Sequence, residues 1–552
     1  MSTRQIDAAL CARMFLAGAA SLESKKDWIN ELNVFPVPDG DTGTNMSMTI
    51  MSAVREVEAL DEVTMKSLAK AMSSGSLRGA RGNSGVILSQ ILRGFGKGIR
   101  DCELLDPAVL TEAFQKGTET AYKAVMKPKE GTILTVARCF AEKAAQLYEE
   151  NPEIELEPFL EGAIASAQEA LDQTPELLPV LKEAGVVDSG GAGLLAILTG
   201  AYDRLTGKVS DEVTPEQQEE LARKQAELEN TYCVECVLVP KEPAGAGLQE
   251  ELTFRLKEMG ESVFVLYDEG SAKLHVHTKR PGEVISFLLE SGRLSRVKVQ
   301  ALSEGHRETV ITDAERERAK ILEEEKAAAA APLKEVGFIS VSVGEGLGRI
   351  FKDLGVDCLI EGGQTMNPST EDMLAAIEKV HAKNIFILPN NKNIILAATQ
   401  AQGMVKDRTV FVIPTRTIPQ GITAMIAYAP EKTPLENEKD MFESISLVKT
   451  CQMTYSIRDT HIDDLDIHEG DIMGVGDHKI IAVGQKIAAT TLEAVSSMVD
   501  ESSELISVYY GQDVTEEDAQ ELAAQIQDQH PDCEVELQDG GQPIYYYIIS
   551  VE

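Results

Sequence analysis

Asn33-Val34-Phe35-Pro36-Val37-Pro38-Asp39-Gly40-Asp41-Thr42-Gly43-Thr44-Asn45-Met46 sets two carboxylates one residue apart, each with a glycine close behind. Such a pair can converge on one hard cation: Mg²⁺ takes oxygen ligands near octahedral geometry, commonly one or two carboxylates with waters and substrate phosphates. Gly43, Thr44 and Asn45 lead into Met46–Leu60, whose apolar residues recur at helical spacing. The free N–H groups of that helix start favour an anion. A plain Asx-type turn before a helix also satisfies D-G-D-T-G. The neighbouring loops decide between the two.

Three more segments have the same style. Ser76-Leu77-Arg78-Gly79-Ala80-Arg81-Gly82-Asn83-Ser84-Gly85-Val86 reads as a loop opening onto an apolar helix. Its small residues admit a phosphate, Asn83 and Ser84 donate hydrogen bonds, and Arg81 or Arg78 neutralises charge. Asp188-Ser189-Gly190-Gly191-Ala192-Gly193 repeats the pattern with one acid, and Lys129-Glu130-Gly131-Thr132 is a weaker version. No G-x-x-x-x-G-K-[ST] occurs, so none of these is a Walker A loop. Helical periodicity also marks Ala8–Ala19, Val86–Gly94, Pro107–Val125, Ile133–Glu149 and Phe159–Leu171. Residues 1–205 therefore read as an all-helical domain, with Pro36–Asn45, Ser73–Gly85, Lys127–Gly131 and Asp188–Gly193 as its links.

All eight histidines stand at 275 or later. Chemistry in the first domain must use carboxylates, amides, hydroxyls, Lys or Arg, which excludes a Ser-His-Asp triad or a phosphohistidine there. Phosphoryl transfer from a Mg-nucleotide suits that inventory, since it needs positioning and charge neutralisation more than a covalent player. Beyond the helical domain, 206–230 is an acidic helical linker, 231–312 a small α+β unit, and 313–334 a charged, Ala-rich linker closed by Pro332. In 335–552 strand and helix alternate, which predicts an α/β domain on a parallel sheet.

The 552 residues carry 52 basic and 90 acidic side chains, a formal charge of −38. That balance repels phosphate backbones and anionic lipid, so neither nucleic acid nor stable membrane insertion is expected. No run approaches 18 apolar residues, the N-terminal stretch lacks the pattern of a signal peptide, and eight scattered cysteines read as reduced thiols. A cytoplasmic protein is expected.

N-V-F-P-V-P-D-G-D-T-G-T-N-M, with G-A-R-G-N-S-G-V and V-D-S-G-G-A-G, resembles the L-type domain of dihydroxyacetone kinases. More closely, and over nearly the whole chain, it resembles the catalytic subunit of bacterial fatty acid kinase. The resemblance implies an eight-helix barrel holding ATP at one end with two Mg²⁺ ions, bound by aspartates that match Asp39 and Asp41. A third aspartate of the dihydroxyacetone enzymes falls at Val34 here, and Asn33 is the nearest oxygen donor. Thr42, Gly43, Thr44, Asn45, Arg81, Gly82, Asn83, Ser84, Gly85, Thr132 and Asp188 would line the nucleotide.

In the α+β unit, His275 and His277 flank Val276, and i, i+2 positions of a strand share a face. Cys233, on another strand of the unit, completes three ligands suited to Zn²⁺, and similar proteins place zinc on the matching residues. The fourth position is open between Cys236 and His306. Gly344-Glu345-Gly346-Leu347-Gly348 fails as a dinucleotide loop because its third glycine comes one residue early. Gly362-Gly363-Gln364-Thr365-Met366-Asn367-Pro368-Ser369 resembles the lipid-carboxylate loop of DegV-like proteins in altered form, implying a retained fold without its own lipid.

The resemblance thus implies ATP-dependent phosphorylation of a fatty acid carboxylate presented by a separate DegV-like protein, giving acyl-phosphate and ADP. It also implies a homodimer joined through the middle domain. The rival expectations are a small-polyol kinase of the dihydroxyacetone (glycerone) type and a non-catalytic nucleotide-sensing scaffold.

Overall fold

The computed structural model describes residues 5–34, 40–125, 127–208, 232–240, 252, 255–256, 259–268, 271–301, 333–363, 367–456, 459–462, 465–477 and 479–552. Of the strand residues Cys233, His275 and His277 it describes the backbone. Asp39, His306, Gln364–Met366 and nearly all of both linkers lie outside the described residues. The chain divides into two compact units, Met1–Val209 with Ala328–Glu552, and Ser210–Ala327.

The first unit begins with α1 (Ala8–Ser24), α2 (Lys26–Glu31), α3 (Thr42–Glu58), α4 (Met65–Gly79), α5 (Gly82–Ile99) and α6 (Pro107–Ala124). It continues with α7 (Ile133–Glu150), α8 (Leu156–Asp172), α9 (Thr174–Leu177), α10 (Pro179–Ala184) and α11 (Ser189–Leu205). Caps set the starts by satisfying free N–H groups. Asp7 accepts from Leu10 N at 2.7 Å, Thr64 forms a capping box with Ser67, and Asp106 accepts from Val109 N at 3.0 Å beside Pro107. The long helices pack neighbour on neighbour and the ring closes where α1 meets α11. Glycine permits that closure: a Cβ on Gly18 would stand 2.7 Å from the Ile197 carbonyl oxygen, and one on Gly200 2.7 Å from that of Ala17. The ring encloses an apolar cavity of about 150 Å³ lined by Phe15, Leu88, Phe114 and Phe140 among others.

Three expected links are shorter than the sequence suggests, and Thr42–Asn45 of the first is already the opening turn of α3. Ser73–Gly79 is the end of α4, Gly82 begins α5, and only Ala80 and Arg81 separate them. Likewise Ser189–Gly193 is the first turn of α11, and Asp188 is its cap. The small residues that resemble loop serve packing. A Cβ on Gly75 would lie 2.6 Å from Ala53 Cα, and one on Gly79 2.3 Å from Ser52 Cβ, both on α3.

The second unit holds β1 (Tyr232–Pro240), β2 (Glu261–Asp268), β3 (Ser271–Thr278), α12 (Pro281–Ser291) and β4 (Gly292–Ala301). The strands form an antiparallel sheet in the order β2-β3-β1-β4. Val234, Cys236, Leu238, Leu274 and Val276 bury one face against Val284 and Leu288 of α12 and against Leu252 and Leu256. β4 is absent from the sequence reading because Arg293, Arg296 and Lys298 interrupt its apolar residues. It is an edge strand, where charge discourages further pairing.

The first unit resumes with β5 (Lys334–Ser342), α13 (Glu345–Asp353), β6 (Cys358–Glu361), α14 (Thr370–Lys379), β7 (Ala382–Leu388), α15 (Ile395–Met404) and β8 (Thr409–Val412). The strands make a parallel sheet ordered β6-β5-β7-β8. Phe338 to Ser342 of β5 are buried without a break, as a strand covered on both faces requires. α16 (Ile418–Ile426) and α17 (Pro434–Ile445) lead to β9 (Lys449–Tyr455), the paired β10 (Thr460–Ile462) and β11 (Leu465–Ile467), β12 (Ile472–Gly476) and β13 (Ile480–Gly484). α18 (Ile487–Met498), β14 (Leu505–Tyr510), α19 (Glu516–Gln529), β15 (Glu534–Asp539) and β16 (Tyr547–Val551) follow. A second, mixed sheet runs β13-β12-β9-β16-β14-β15. The Gly344–Gly348 segment has a packing role: a Cβ on Gly346 would stand 1.9 Å from the Asp539 carbonyl oxygen. No described helix is long and apolar enough to cross a membrane.

Candidate functional site

Asp41 is the N-cap residue of α3, yet its carboxylate makes no capping bond. Its main chain does the local work, the carbonyl accepting from Asn45 N at 2.8 Å. The carboxylate is thus turned to another task. Asn30 of α2 holds the helix start in place: its Oδ1 accepts from Thr44 N at 3.1 Å and its Nδ2 donates to Thr44 Oγ1 at 3.0 Å. Gly43 fits against α2, where a Cβ would fall 2.1 Å from the Lys26 carbonyl oxygen. Sequence spacing misses Asn30, although it lies three residues before Asn33. Asn33 itself is buried.

The first turn of α5 packs directly on the first turn of α3. Gly82 has φ +57°, and a Cβ on it would lie 2.6 Å from Asn45 Nδ2; one on Gly85 would lie 2.4 Å from Thr49 Oγ1. Thr49 bridges the two, donating to Asn45 O at 2.7 Å and accepting from Arg81 N at 3.3 Å. Two helix N-termini meet here, with Asp41 at one and Gly82-Asn83-Ser84 opening the other. Free N–H groups and positive dipole ends side by side suit a polyphosphate. α11 approaches α3 from another side, where a Cβ on Gly193 would stand 2.7 Å from Met46 Sδ.

Asp188 caps α11 as a buried carboxylate, with Oδ2 accepting from Gly191 N at 2.7 Å. Burial pushes its pKa up to about 6, opposed by the N–H groups of Gly191 and Ile133. Thr132 caps α7 and donates to Lys129 O at 2.8 Å. Beside it Glu130 accepts from Thr135 Oγ1 at 2.7 Å and pairs with Arg138 at 2.8 Å; these hydrogen bonds hold its carboxyl below the usual range.

The C-terminal α/β domain reaches this place, which the sequence does not reveal. Loops at the carboxyl ends of β6 and β7 meet the α4–α5 junction, and such strand ends are where open α/β sheets carry their sites. Asn367 Nδ2 donates to Asp41 Oδ2 at 2.6 Å, and Arg81 Nη1 donates to the Asn367 carbonyl at 2.9 Å. Asn83 Nδ2 donates to Asn393 Oδ1 at 3.1 Å. Thr370 N bonds to Ala80 O at 3.1 Å, and Gln400 accepts from Gln90 Nε2 at 2.7 Å while donating to Leu77 O at 2.8 Å. Ala80, Val86, Ala397 and Leu396 form the apolar centre of the contact. Arg81 and Asn83, expected on the nucleotide, are therefore engaged by this domain.

Among the described residues no three His, Cys, Asp or Glu side chains gather as a metal site. Asp39 lies outside them, so the pair Asp39–Asp41 is a proposal. The donors present fit a hydrated hard cation. Asp41 supplies a carboxylate not used in capping, and Asn367 Oδ1 is buried beside it without a hydrogen-bond partner among the described residues. In the second unit Cys233 stands opposite His277, and Glu235 opposite His275, along the β1–β3 ladder. The register puts positions 233, 275 and 277 on the face opposite the buried one. Cys236 is buried, its thiol pushed up to about 11, so it does not share that face.

Residues 337–552 match the C-terminal domain of the FakA-like family of fatty acid kinase. Residues 229–309 match the middle domain of the same family, and 36–203 match the DAK2 domain. The chain is 41% identical to protein YloV of Bacillus subtilis strain 168, with all of both chains covered. It is 42% identical to an uncharacterized protein of Staphylococcus aureus strain USA300, over 99% of this chain and 100% of the other. The solved structure of the Streptococcus pneumoniae fatty acid kinase B3 protein loaded with linoleic acid aligns at 11% identity and TM-score 0.28, covering 40% of this chain and 99% of its own.

Proposed function

This chain belongs to the FakA-like family of fatty acid kinase, and on that premise we propose that it transfers the γ-phosphoryl group of ATP to a fatty acid carboxylate. The acid would be held by a separate DegV-like protein, and the products would be acyl-phosphate and ADP. The observation that carries the reading is the junction of the α3 and α5 N-termini beside the Asp41 carboxylate, which caps neither helix. Backbone N–H groups of Thr42, Gly43 and Gly82–Gly85, with the Ser84 hydroxyl, would hold the phosphates, while those of Thr44 and Asn45 are taken by Asn30 Oδ1 and the Asp41 carbonyl. Thr132 and Asp188 would border the nucleotide. Asp41, with Asp39 and Asn33, would hold Mg²⁺, which when bound neutralises charge on the transferring group.

The acceptor needs no general base. A carboxylate of ordinary pKa, about 4, is already ionised at neutral pH. Its oxygen forms the new bond to phosphorus as the bond from phosphorus to the bridging oxygen of ADP breaks, and no proton moves. What remains for the protein is to orient and to neutralise, and the site offers amides, hydroxyls and carboxylates for that. The histidine-free first domain supports this acceptor over an alcohol. Cys233, His275 and His277 would hold a Zn²⁺ ion in the middle domain, through which two copies would associate. The reduced cysteines and acidic surface support a cytoplasmic setting.

Labelled ATP, Mg²⁺ and oleate, with and without a DegV-like carrier, test the proposal. Label is expected in a hydroxylamine-sensitive lipid product only when the carrier is present. Label transferred to dihydroxyacetone without any carrier would establish the polyol alternative. Nucleotide binding with no phosphorylated product in either mixture would leave a sensing scaffold.

A further inference from the structure

Asn367 stands in the loop between β6 and α14 and is 3% exposed. Both of its polar ends meet the kinase domain: its backbone carbonyl accepts from Arg81 Nη1 at 2.9 Å, and its Nδ2 donates to Asp41 Oδ2 at 2.6 Å. The second contact decides which way the amide points, because the opposite flip would set its oxygen against a carboxylate. Oδ1 is then buried with no hydrogen-bond partner among the described residues. A buried acceptor without a donor is costly, and native proteins rarely leave one. Gly82 borders the amide on the other side, where a Cβ would lie in ordinary contact, 3.6 Å from Asn367 Nδ2.

An amide that anchors a carboxylate with its N–H and presents an unsatisfied oxygen beside it is arranged to serve a hydrated cation. Mg²⁺ retains several of its waters, which are strong donors, and outer groups that orient its ligands are worth about 10–100-fold in metal affinity. We infer that Asn367 is a positioning residue of the cation–nucleotide site, fixing the Asp41 carboxylate through Nδ2 and accepting from a cation-bound water at Oδ1. The inference rests on the nucleotide-site reading of Asp41. Its consequence is that the C-terminal α/β domain completes the kinase site within the same chain, and Mg-nucleotide affinity depends on one of its side chains.

The test uses the full chain, with Mg-ADP as the probe in calorimetry and thermal melting with and without Mg²⁺. Wild type, Asp41→Ala, Asn367→Leu and Asn367→Asp are compared. Asn367→Leu is expected to weaken Mg-ADP binding about tenfold. Asn367→Asp keeps an acceptor but sets a second carboxylate against Asp41. It should melt below wild type without Mg²⁺ and show the larger rise in Tm when Mg²⁺ is added. Equal Mg-ADP affinity in wild type and Asn367→Leu, with Tm lowered by the same amount with and without Mg²⁺, would overturn the inference and leave a structural contact. Tighter binding by Asn367→Leu would overturn it too, as a plug rather than a positioning residue. Wild type that binds no Mg-ADP would instead remove the nucleotide-site reading, and the inference with it.

Discussion

Asp188 shows what a single residue can and cannot announce from its place in the sequence. An acid followed by Ser-Gly-Gly-Ala-Gly reads as a phosphate-type loop; the structure makes it a buried cap whose pKa rises from 3.8 to about 6. A raised carboxyl pKa means that the folded state binds the proton more tightly than the unfolded one. The stabilisation is complete below pH 3.8 and is lost as pH rises through about 6. Between pH 5 and pH 8 the loss is about 1.4 kcal/mol from this group alone. Asp188→Asn keeps an oxygen for the Gly191 N–H and removes the charge. Its stability relative to wild type should therefore improve by about that amount from pH 5 to pH 8. Denaturant melts at both pH values check this; a difference that does not change with pH would mean that the charge is compensated in the fold. The burial is hidden in the sequence because it comes from α7 and α11 meeting, a non-local event.

The helices that are easy to foresee are those with an apolar stripe: α1, α3, α5, α6, α7 and α8 all lie where periodicity puts them, within a few residues. The end of α4 resembles a loop because Ser73-Ser74-Gly75-Ser76 has the composition of one. Such composition is ambiguous, since small polar residues serve turns and also let two helices approach closely. In α4 the second use wins: a Cβ on Gly75 would lie 2.6 Å from Ala53 Cα and 2.8 Å from Ser52 O, which leaves no room for a side chain. Gly75→Val should therefore force α4 off α3 at a cost of roughly 3 kcal/mol, against the small gain that helix propensity alone would give. For a domain of this size that is a fall in Tm of about 6–12 °C. A thermal melt followed by circular dichroism reads it directly, and a variant as stable as wild type would show that the α3–α4 spacing yields without strain.

For the whole molecule, what spacing along the chain cannot supply is the meeting of Asp41 with Asn367, 326 residues apart. Each loop is legible by itself: the acid pair as a cation site, and Gly362–Ser369 as an altered lipid-carboxylate loop. Nothing in one sequence says that two such loops touch. Their contact places both in the first compact unit, whereas Cys233, His275 and His277 belong to the second, Ser210–Ala327. The two proposed metal sites are thereby separable. Residues 210–327 can be replaced by a Gly/Ser linker of about 30 residues, whose r.m.s. reach is about 30 Å. The resulting chain keeps every hydrogen bond described around Asp41, Gly82 and Asn367. It should bind Mg-ADP within about threefold of the full chain, because ligand affinity follows the contacts retained, while its zinc content falls to background. Calorimetry and metal analysis on the two proteins decide the matter. Zinc retained after the excision would refute the Cys233–His275–His277 site. Binding lost while the helical signal remains would mean that the middle domain, through self-association or otherwise, is needed to assemble the nucleotide site.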